Sequence, residues 1–153
     1  MDVRLINPFI EATLHVLRTV ASTQARAGKP YMRKDKTATG DVSGIIGLTG
    51  EAKGTISVSF SEGSILSIVS KMFGEEVKEL NDEIMDAVGE ISNMISGQAR
   101  QKLETLGRSL TAAIPMVIRG KGHSMSHVTN YPTIAIPFDT DNGKFTVEVC
   151  LEE

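Results

Sequence analysis

A long run of helical periodicity from Asn81 to Leu106 limits the folds open to this chain. Asn81 is a suitable N-cap, and Asp82 and Glu83 place negative charge in the first turn, where the helix dipole favours it. Gly107 then ends the run. A helix of about 25 residues is about 37 Å long, roughly the diameter of a small domain. The rest of the chain must therefore cover one apolar stripe along that whole length.

The run separates into two faces when its residues are spaced by about 100° each. The apolar face is predicted to form a core stripe of Ile84, Val88, Ile91, Ile95, Ala99 and Leu106. The opposite face is predicted to meet solvent, and it carries Asp86, Glu90, Asn93, Gly97 and Arg100. This predicts an amphipathic helix with a continuous polar face.

The polar face has an unusual composition for a purely structural helix. Asn93 is disfavoured in mid-helix because its side chain competes for local backbone hydrogen bonds, and Gly89 and Gly97 each cost about 1 kcal/mol relative to alanine. Glycines beside Glu90 and Asn93 would leave low relief, so that a partner's surface could approach the helix closely. Spacing alone still favours an ordinary solvated face, because any amphipathic helix shows a polar stripe.

The first half of the chain alternates between helical and strand patterns. Asn7 and Pro8 predict the start of a helix over roughly 8–24, ended by the Gly-Lys-Pro run at 28–30. Residues 31–36 suit a short edge strand. Two β-rich runs, 41–48 and 53–60, predict a hairpin.

The second half continues with a helix and three strands around the long helix. Ser61 or Ser64 is a suitable cap for a helix that Gly74 ends, and its apolar stripe includes Met72 and Phe73, interpreted as packing material. The strand patterns after the long helix cover Thr111–Arg119, Thr133–Phe138 and Lys144–Leu151. Short connections between neighbouring strands favour antiparallel pairing.

Together these patterns predict one α+β domain over residues 1–153, with an antiparallel sheet of about six strands and long helices packed on it. The length suits a single domain, and 41% apolar with 23% charged residues is ordinary globular usage. Cys150 is the only cysteine, so no intramolecular disulfide can form.

Charge and hydropathy argue against several classes of function. The formal net charge is −3 and the basic residues are scattered, so a nucleic-acid partner is not expected. No apolar run has the length of a membrane span or the form of a secretory signal, and the expected location is the cytoplasm.

Other candidate sites fail on their local context. His123 and His127 have a suitable spacing for one helix face, but they lie in a segment predicted to be a loop, without a nearby cysteine or acid, so no metal site is expected. The glycines of the hairpin precede no Gly-Lys-Ser/Thr sequence, which excludes a nucleotide loop. Ser61 lacks the flanking glycines of a nucleophile elbow.

One motif on the long helix carries a family resemblance. The stretch DAVGEISNMISGQA, followed at a distance by Pro115, resembles the signature of the CheC, CheX and FliY phosphatases. Asp86, Glu90 and Asn93 match that signature residue by residue, and Pro115 lies one residue nearer than its usual spacing. The first helix shows Glu11 followed by Leu14, without the second Glu-Asn pair of the CheC branch, so the CheX branch is the better match.

The resemblance implies a hydrolase that removes the aspartyl phosphate of a CheY-like response regulator in chemotaxis or related two-component signalling. It implies that Asn93 orients the attacking water and that Glu90 pairs with a lysine of the receiver, whose own Mg²⁺ completes the site, so this chain would bind no cofactor. Gly97 would lie in the contact with the partner, and Gly89 and Pro115 would be structural. Asp86 could support Glu90, contact the partner or serve solubility.

The resemblance also implies a homodimer joined edge to edge through the sheet. The candidate edge strands are residues 31–36 and Thr133–Phe138, the latter flanked by Pro132 and Pro137. The alternative to the phosphatase is a non-catalytic CheX-like adaptor, which would bind a receiver or another signalling domain without turnover.

Overall fold

The computed structural model describes residues 3–33, 37–126 and 132–152, with side chains described over 4–33, 40–123 and 132–152. Within these ranges the chain forms three helices and eight strands. The elements in chain order are α1 Val3–Ala21, β1 Arg26–Ala27, β2 Tyr31–Met32, β3 Thr37–Gly50, β4 Gly54–Phe60, α2 Glu62–Phe73, α3 Asp82–Thr105, β5 Leu110–Ala112, β6 Met116–Ser126, β7 Thr133–Thr140 and β8 Gly143–Leu151.

The described strands form one antiparallel sheet in the order β1-β7-β8-β4-β3-β5, with β2 also paired to β7 and β6 also paired to β3. The α+β class with an antiparallel sheet is confirmed. The sheet has eight strands where about six were expected, because the short strand β1 was not predicted and the run after α3 divides in two.

The core lies between the three helices and one face of the sheet. Alternate residues of the central strands, such as Ile56, Val58 and Phe60 of β4, point into it and are fully buried. Phe60 and Phe145 pair with ring centroids 5.2 Å apart, and Phe145 stacks on Phe138 at 4.9 Å. The period-two pattern seen in the sequence therefore separates the apolar face that meets the helices from a polar face on which Ser57 and Ser59 are also buried.

The first helix differs from its prediction at both ends. It begins at Val3 and carries Pro8 in its interior, although proline removes one intrahelical hydrogen bond. The extra turn buries Leu5 and Ile6 in the core, which offsets that loss. The helix ends at Ala21, not 24, where the left-handed residue Ser22 closes it.

The strand predicted over Thr111–Arg119 is two strands, because β5 ends at Ala112 and β6 begins at Met116. Pro115 was expected within a strand, and it lies between these two. Strand β6 then continues to Ser126 through part of the segment expected to be a loop. His127 lies outside the described residues.

His123 lies in the segment predicted to be a loop, and the structure corrects this by placing it in β6. Its Nε2 is 2.8 Å from the buried hydroxyl of Ser43, and its Nδ1 is 2.8 Å from the carbonyl of Gly120. Because a carbonyl oxygen only accepts, Nδ1 carries a proton and donates to it. His123 therefore contributes to a polar contact on the sheet face opposite the helices.

One of the two candidate edge strands is excluded. Strand β7 contains the run Thr133–Phe138 and is paired on both sides, with β8 on one and with β1 and β2 on the other. Tyr31 and Met32, in the other candidate, form the outer strand β2 and are about half exposed. The rest of that candidate, 34–36, lies outside the described residues.

Asp41 joins three elements at one end of the sheet. Its carboxylate accepts the backbone N–H of Gly122 in β6 at 2.9 Å and that of Glu62, in the first turn of α2, at 2.8 Å. These two hydrogen bonds, the one from Gly122 being the stronger influence, hold the pKa of Asp41 below its usual range. The charged form of Asp41 therefore stabilises this junction.

We expect Asp41→Asn to destabilise the protein at pH 7 more than at pH 3. A depressed carboxyl pKa in the folded state contributes stability above the unfolded value of about 3.9 and loses it as pH falls through the folded value. Urea unfolding of both proteins between pH 7 and pH 3 measures the difference. A difference that is constant over this range would contradict the assignment.

Helix α3 lies close to strand β3 where Gly44 faces Ser92. A Cβ at Gly44 would meet the Ser92 hydroxyl and lie 3.1 Å from the Ser92 Cβ and 3.4 Å from Val88 Cγ1. The Ser92 hydroxyl donates to the Val88 carbonyl at 2.7 Å, so it is not free to turn away. The absence of a side chain at Gly44 therefore allows this close approach.

We expect Gly44→Ala to lower the free energy of unfolding by about 1–3 kcal/mol, because the methyl group overpacks the contact between α3 and β3. Gly47→Ala, in the same strand, is the matched control. There a Cβ would have Ala113 Cβ at 3.9 Å as its near neighbour, an ordinary contact. Denaturant unfolding measures both variants, and equal effects would show that strand propensity, not the helix contact, is responsible.

Candidate functional site

Helix α3 is fixed at its start and along its buried side. Asn81 Oδ1 accepts the backbone N–H of Ile84 at 3.0 Å, which confirms the predicted N-cap. The helix runs for 24 residues to Thr105 and packs against α1, β3, β5 and β6. It is therefore a rigid support for whatever its outer face carries.

The buried face of α3 follows the predicted stripe with one exception. Ile84, Val88, Ile91 and Ile95 are fully buried. Leu106 was also expected in the core, but it follows the last helical residue and is 53% exposed. Leu103 is buried, because it is the leucine that retains the helical spacing.

Asp86, Glu90 and Asn93 are all exposed on the outer face of α3, as the helical wheel predicted. Residues three or four apart on a helix have Cβ atoms about 5–6 Å apart, so a carboxylate and a carboxamide project side by side here. Both groups can enter the concave site of another molecule. This pair is the candidate functional site.

Gly89 does not form part of the outer surface, contrary to the expectation of low relief on both sides of Glu90. It is buried, and a Cβ there would lie 3.5 Å from Val117 Cγ2 and 4.0 Å from Pro115 Cγ. Pro115 thus lies beside the turn of α3 that carries Glu90. The structural roles of Gly89 and Pro115 remain predictions, and their contact gives those roles a physical basis.

Gly97 is half-buried and lines a cleft of about 450 Å³ between α1 and α3. The walls of this cleft include His15 and Val16 from α1 and Met94 from α3. Arg100 also lines it, and its Nε lies 3.4 Å from the Ser96 hydroxyl on the preceding turn. Met94, the residue after Asn93, lines this cleft, so the cleft lies directly beside the pair.

A second cleft, of about 200 Å³, lies on the other side of the pair, between α2 and α3. Phe73 lines it and is 42% exposed, although the sequence pattern placed this residue in the packing stripe of α2. One sequence signal could have predicted this exposure: Phe73 directly precedes Gly74, which ends the helix. Residues in the last turn of a helix are covered by fewer neighbours.

Two kinds of feature are absent from residues 3–33, 37–126 and 132–152. No group of three or more His, Cys, Asp or Glu side chains there is arranged to hold a metal ion. No helix there is long and apolar enough to cross a bilayer.

The chain matches the family model described as chemotaxis phosphatase CheX over residues 42–139. A relative from Thermotoga maritima, named CheY-P phosphatase CheX, is 32% identical over 122 residues, which is 79% of each chain. The segment that matches the family model contains most of β3 and all of β4, α2 and α3, including the outer face of α3.

Two solved structures share the whole architecture. A chemotaxis protein CheX from Desulfovibrio desulfuricans is 47% identical, with a TM-score of 0.92 over 97% of this chain and 99% of that one. The CheX of a CheX–CheY–BeF3–Mg²⁺ complex from Borrelia burgdorferi is 26% identical, with a TM-score of 0.80 over 97% of each chain. The protein therefore belongs to the chemotaxis phosphatase CheX family.

Proposed function

We propose that this protein hydrolyses the aspartyl phosphate of a CheY-like response regulator. The observation that carries the proposal is the exposed pair of Glu90 and Asn93 on the rigid helix α3. The Thermotoga maritima relative that is named a CheY-P phosphatase, and the complex of the Borrelia burgdorferi neighbour with CheY, support the same reaction and partner.

Asn93 orients the attacking water in this proposal. Water attacks phosphorus in line with the departing aspartate carboxylate, the P–O bond to that carboxylate breaks, and inorganic phosphate leaves with the water's oxygen. A carboxamide can both accept from and donate to such a water without adding charge beside the phosphoryl group. Orientation of this kind can supply a large part of the acceleration, as with the glutamine of GTPases.

Glu90 sets docking and register. A carboxylate beside a phosphoryl group is repelled by it, so its function is better explained by a cationic partner group. We assign that group to a lysine of the receiver. Because Glu90 and Asn93 are one turn apart on the same helix, an ion pair at Glu90 would place the Asn93 amide at a defined distance from the phosphoryl group.

The remaining site residues support this pair. Asp86 and Gly97 lie one turn to either side of it, and we assign both to the contact with the receiver. Gly89 and Pro115 hold the Glu90 turn against β6. The Mg²⁺ belongs to the receiver, consistent with the BeF3–Mg²⁺ complex of the Borrelia burgdorferi neighbour. We expect the reaction to take place in the cytoplasm.

We expect Asn93→Ala to reduce kcat for receiver dephosphorylation by about 100-fold or more, because the water loses its orienting group. Binding of the receiver should change little. Phosphate release from a phosphorylated receiver measures kcat, and Gln101→Ala is the control, because it removes another exposed carboxamide from the same helix. Unchanged kcat in Asn93→Ala would refute the role of Asn93.

We expect Glu90→Ala to weaken binding of the beryllofluoride-loaded receiver by about tenfold or more, because the receiver's lysine would be buried without a counterion. The loss should exceed that in Asn93→Ala. Titration of both variants with the same receiver measures it. An affinity in Glu90→Ala equal to that of the wild type would show that Glu90 has no part in docking.

Turnover separates the phosphatase from a non-catalytic adaptor. We expect a substoichiometric amount of the protein to process many equivalents of phosphorylated receiver. An adaptor would at most protect or release one equivalent per molecule. Testing each receiver of the host in this way identifies the partner together with the activity.

The assembly is proposed to be a homodimer joined edge to edge through the sheet. Strand β2 supports this, because Tyr31 and Met32 are about half exposed on the outer side of β7. An exposed apolar strand edge is a site where a second chain can add. Light scattering coupled to size exclusion gives the mass that checks it.

A further inference from the structure

The cleft between α2 and α3 combines an apolar floor with an acidic wall. Its volume is about 200 Å³, and Glu90 of the proposed catalytic pair is one of its lining residues. Met72, Phe73 and Ala87 form the apolar part. Glu83 and Asp86 join Glu90 on the acidic part. A molecule that reaches Glu90 therefore also meets this cleft.

Phe73 is the exposed exception among the five phenylalanines of the chain. The other four phenylalanines of the chain are at most 2% exposed, whereas Phe73 is 42% exposed. Aromatic side chains contribute strongly to protein interfaces, because they bury a large area and lose little conformational entropy. An exposed aromatic residue beside a docking face is a candidate anchor for the partner.

The acids of the cleft have no counterion within the part of the chain that the structure describes. Within the described ranges, none of Glu83, Asp86 and Glu90 forms an ion pair. The neighbouring sequence is acidic as well: residues 75–90 contain one basic residue, Lys78, and the acids Glu75, Glu76, Glu79, Asp82, Glu83, Asp86 and Glu90. The local field favours a cationic partner.

We propose that the phosphorylated receiver docks into the α2–α3 cleft and that Phe73 determines its affinity. The occupant is the face of the receiver that carries the lysine paired with Glu90, together with an apolar side chain that covers Phe73. Glu83 and Asp86 speed its approach through charge complementarity. This inference rests on the proposed function, and it adds the residues that select the partner.

The α1–α3 cleft is larger, at about 450 Å³, but its lining fits a lysine-bearing partner less well. Arg100 and His15 line it beside Glu104, so its charges are mixed. Glu90 is not among its lining residues, and neither is a phenylalanine, tyrosine or tryptophan. The α2–α3 cleft is therefore the better continuation of the docking face.

The first test truncates Phe73. We expect Phe73→Ala to raise KM for the phosphorylated receiver about tenfold while kcat stays within twofold, since the variant loses a contact that ground state and transition state share. The Kd for the same receiver loaded with BeF3⁻ and Mg²⁺ should rise by the same factor. Thermal unfolding of the variant checks that the fold is intact.

Leu106→Ala is the matched control for Phe73→Ala. Leu106 is 53% exposed, and it lies beyond the opposite end of α3, outside the cleft. Its KM and Kd should match those of the wild type. Equal effects in the two variants, or no change in Phe73→Ala, would overturn the proposal.

A second test removes charge from one cleft at a time. Glu83→Gln should lower the association rate for the beryllofluoride-loaded receiver at least twofold at low salt, and the difference should vanish in high salt, because exposed charges are screened. Glu104→Gln, which alters the α1–α3 cleft, should leave the rate unchanged. If Glu104→Gln lowers the association rate and Glu83→Gln does not, docking lies on the α1 side and the proposal is refuted.

The two proposals fail in distinguishable ways. If Phe73→Ala weakens binding but wild-type protein releases no phosphate, docking holds and the phosphatase assignment fails. If wild-type protein turns over and Phe73→Ala binds normally, the phosphatase holds and the role of Phe73 is refuted.

Discussion

The close packing of α3 against the sheet is the contact on which the function of this fold depends. Gly44 controls it, because the absence of a side chain there admits the Ser92 side chain, and one turn earlier on α3 a Cβ at Gly89 would lie at ordinary contact distance from Val117 and Pro115. These contacts fix both the distance and the rotation of the helix. Since side chains on a helix keep a constant angular spacing, fixing the rotation also fixes the direction in which the outer face points.

The sequence predicted α3 well because the relevant information is local. The Asn81 cap, the apolar spacing from Ile84 to Ile95 and the outward position of Glu90 and Asn93 all follow from helical geometry and from the preferences of helix ends. The hairpin of β3 and β4 was also predicted, because strand alternation and a short turn occur within one segment. Each of these features is set by neighbours a few residues away.

The features that the sequence did not predict depend on distant contacts. The continuation of β6 to Ser126 is stabilised by pairing with the first half of β3, about 80 residues away, and no local pattern reports it. The additional turn of α1 before Pro8 exists because it buries Leu5 and Ile6. Similarly, the exposure of Phe73 depends on where α2 ends relative to α3. That depends on tertiary packing, which a local sequence pattern does not report.

The site is a ridge flanked by shallow clefts. This shape suits a reaction whose active site is contributed by two proteins. In the proposed reaction the receiver supplies the phosphoryl group, the metal ion and the enclosed space, so this chain must supply a rigid projection of two side chains. Such a projection has little selectivity, because Glu90 and Asn93 reach any lysine and phosphate at the right separation. Discrimination among receivers must then come from the surface around the pair. The α2 side of the α2–α3 cleft is well placed for it, since Met72 and Phe73 can vary without altering the helix that carries the chemistry.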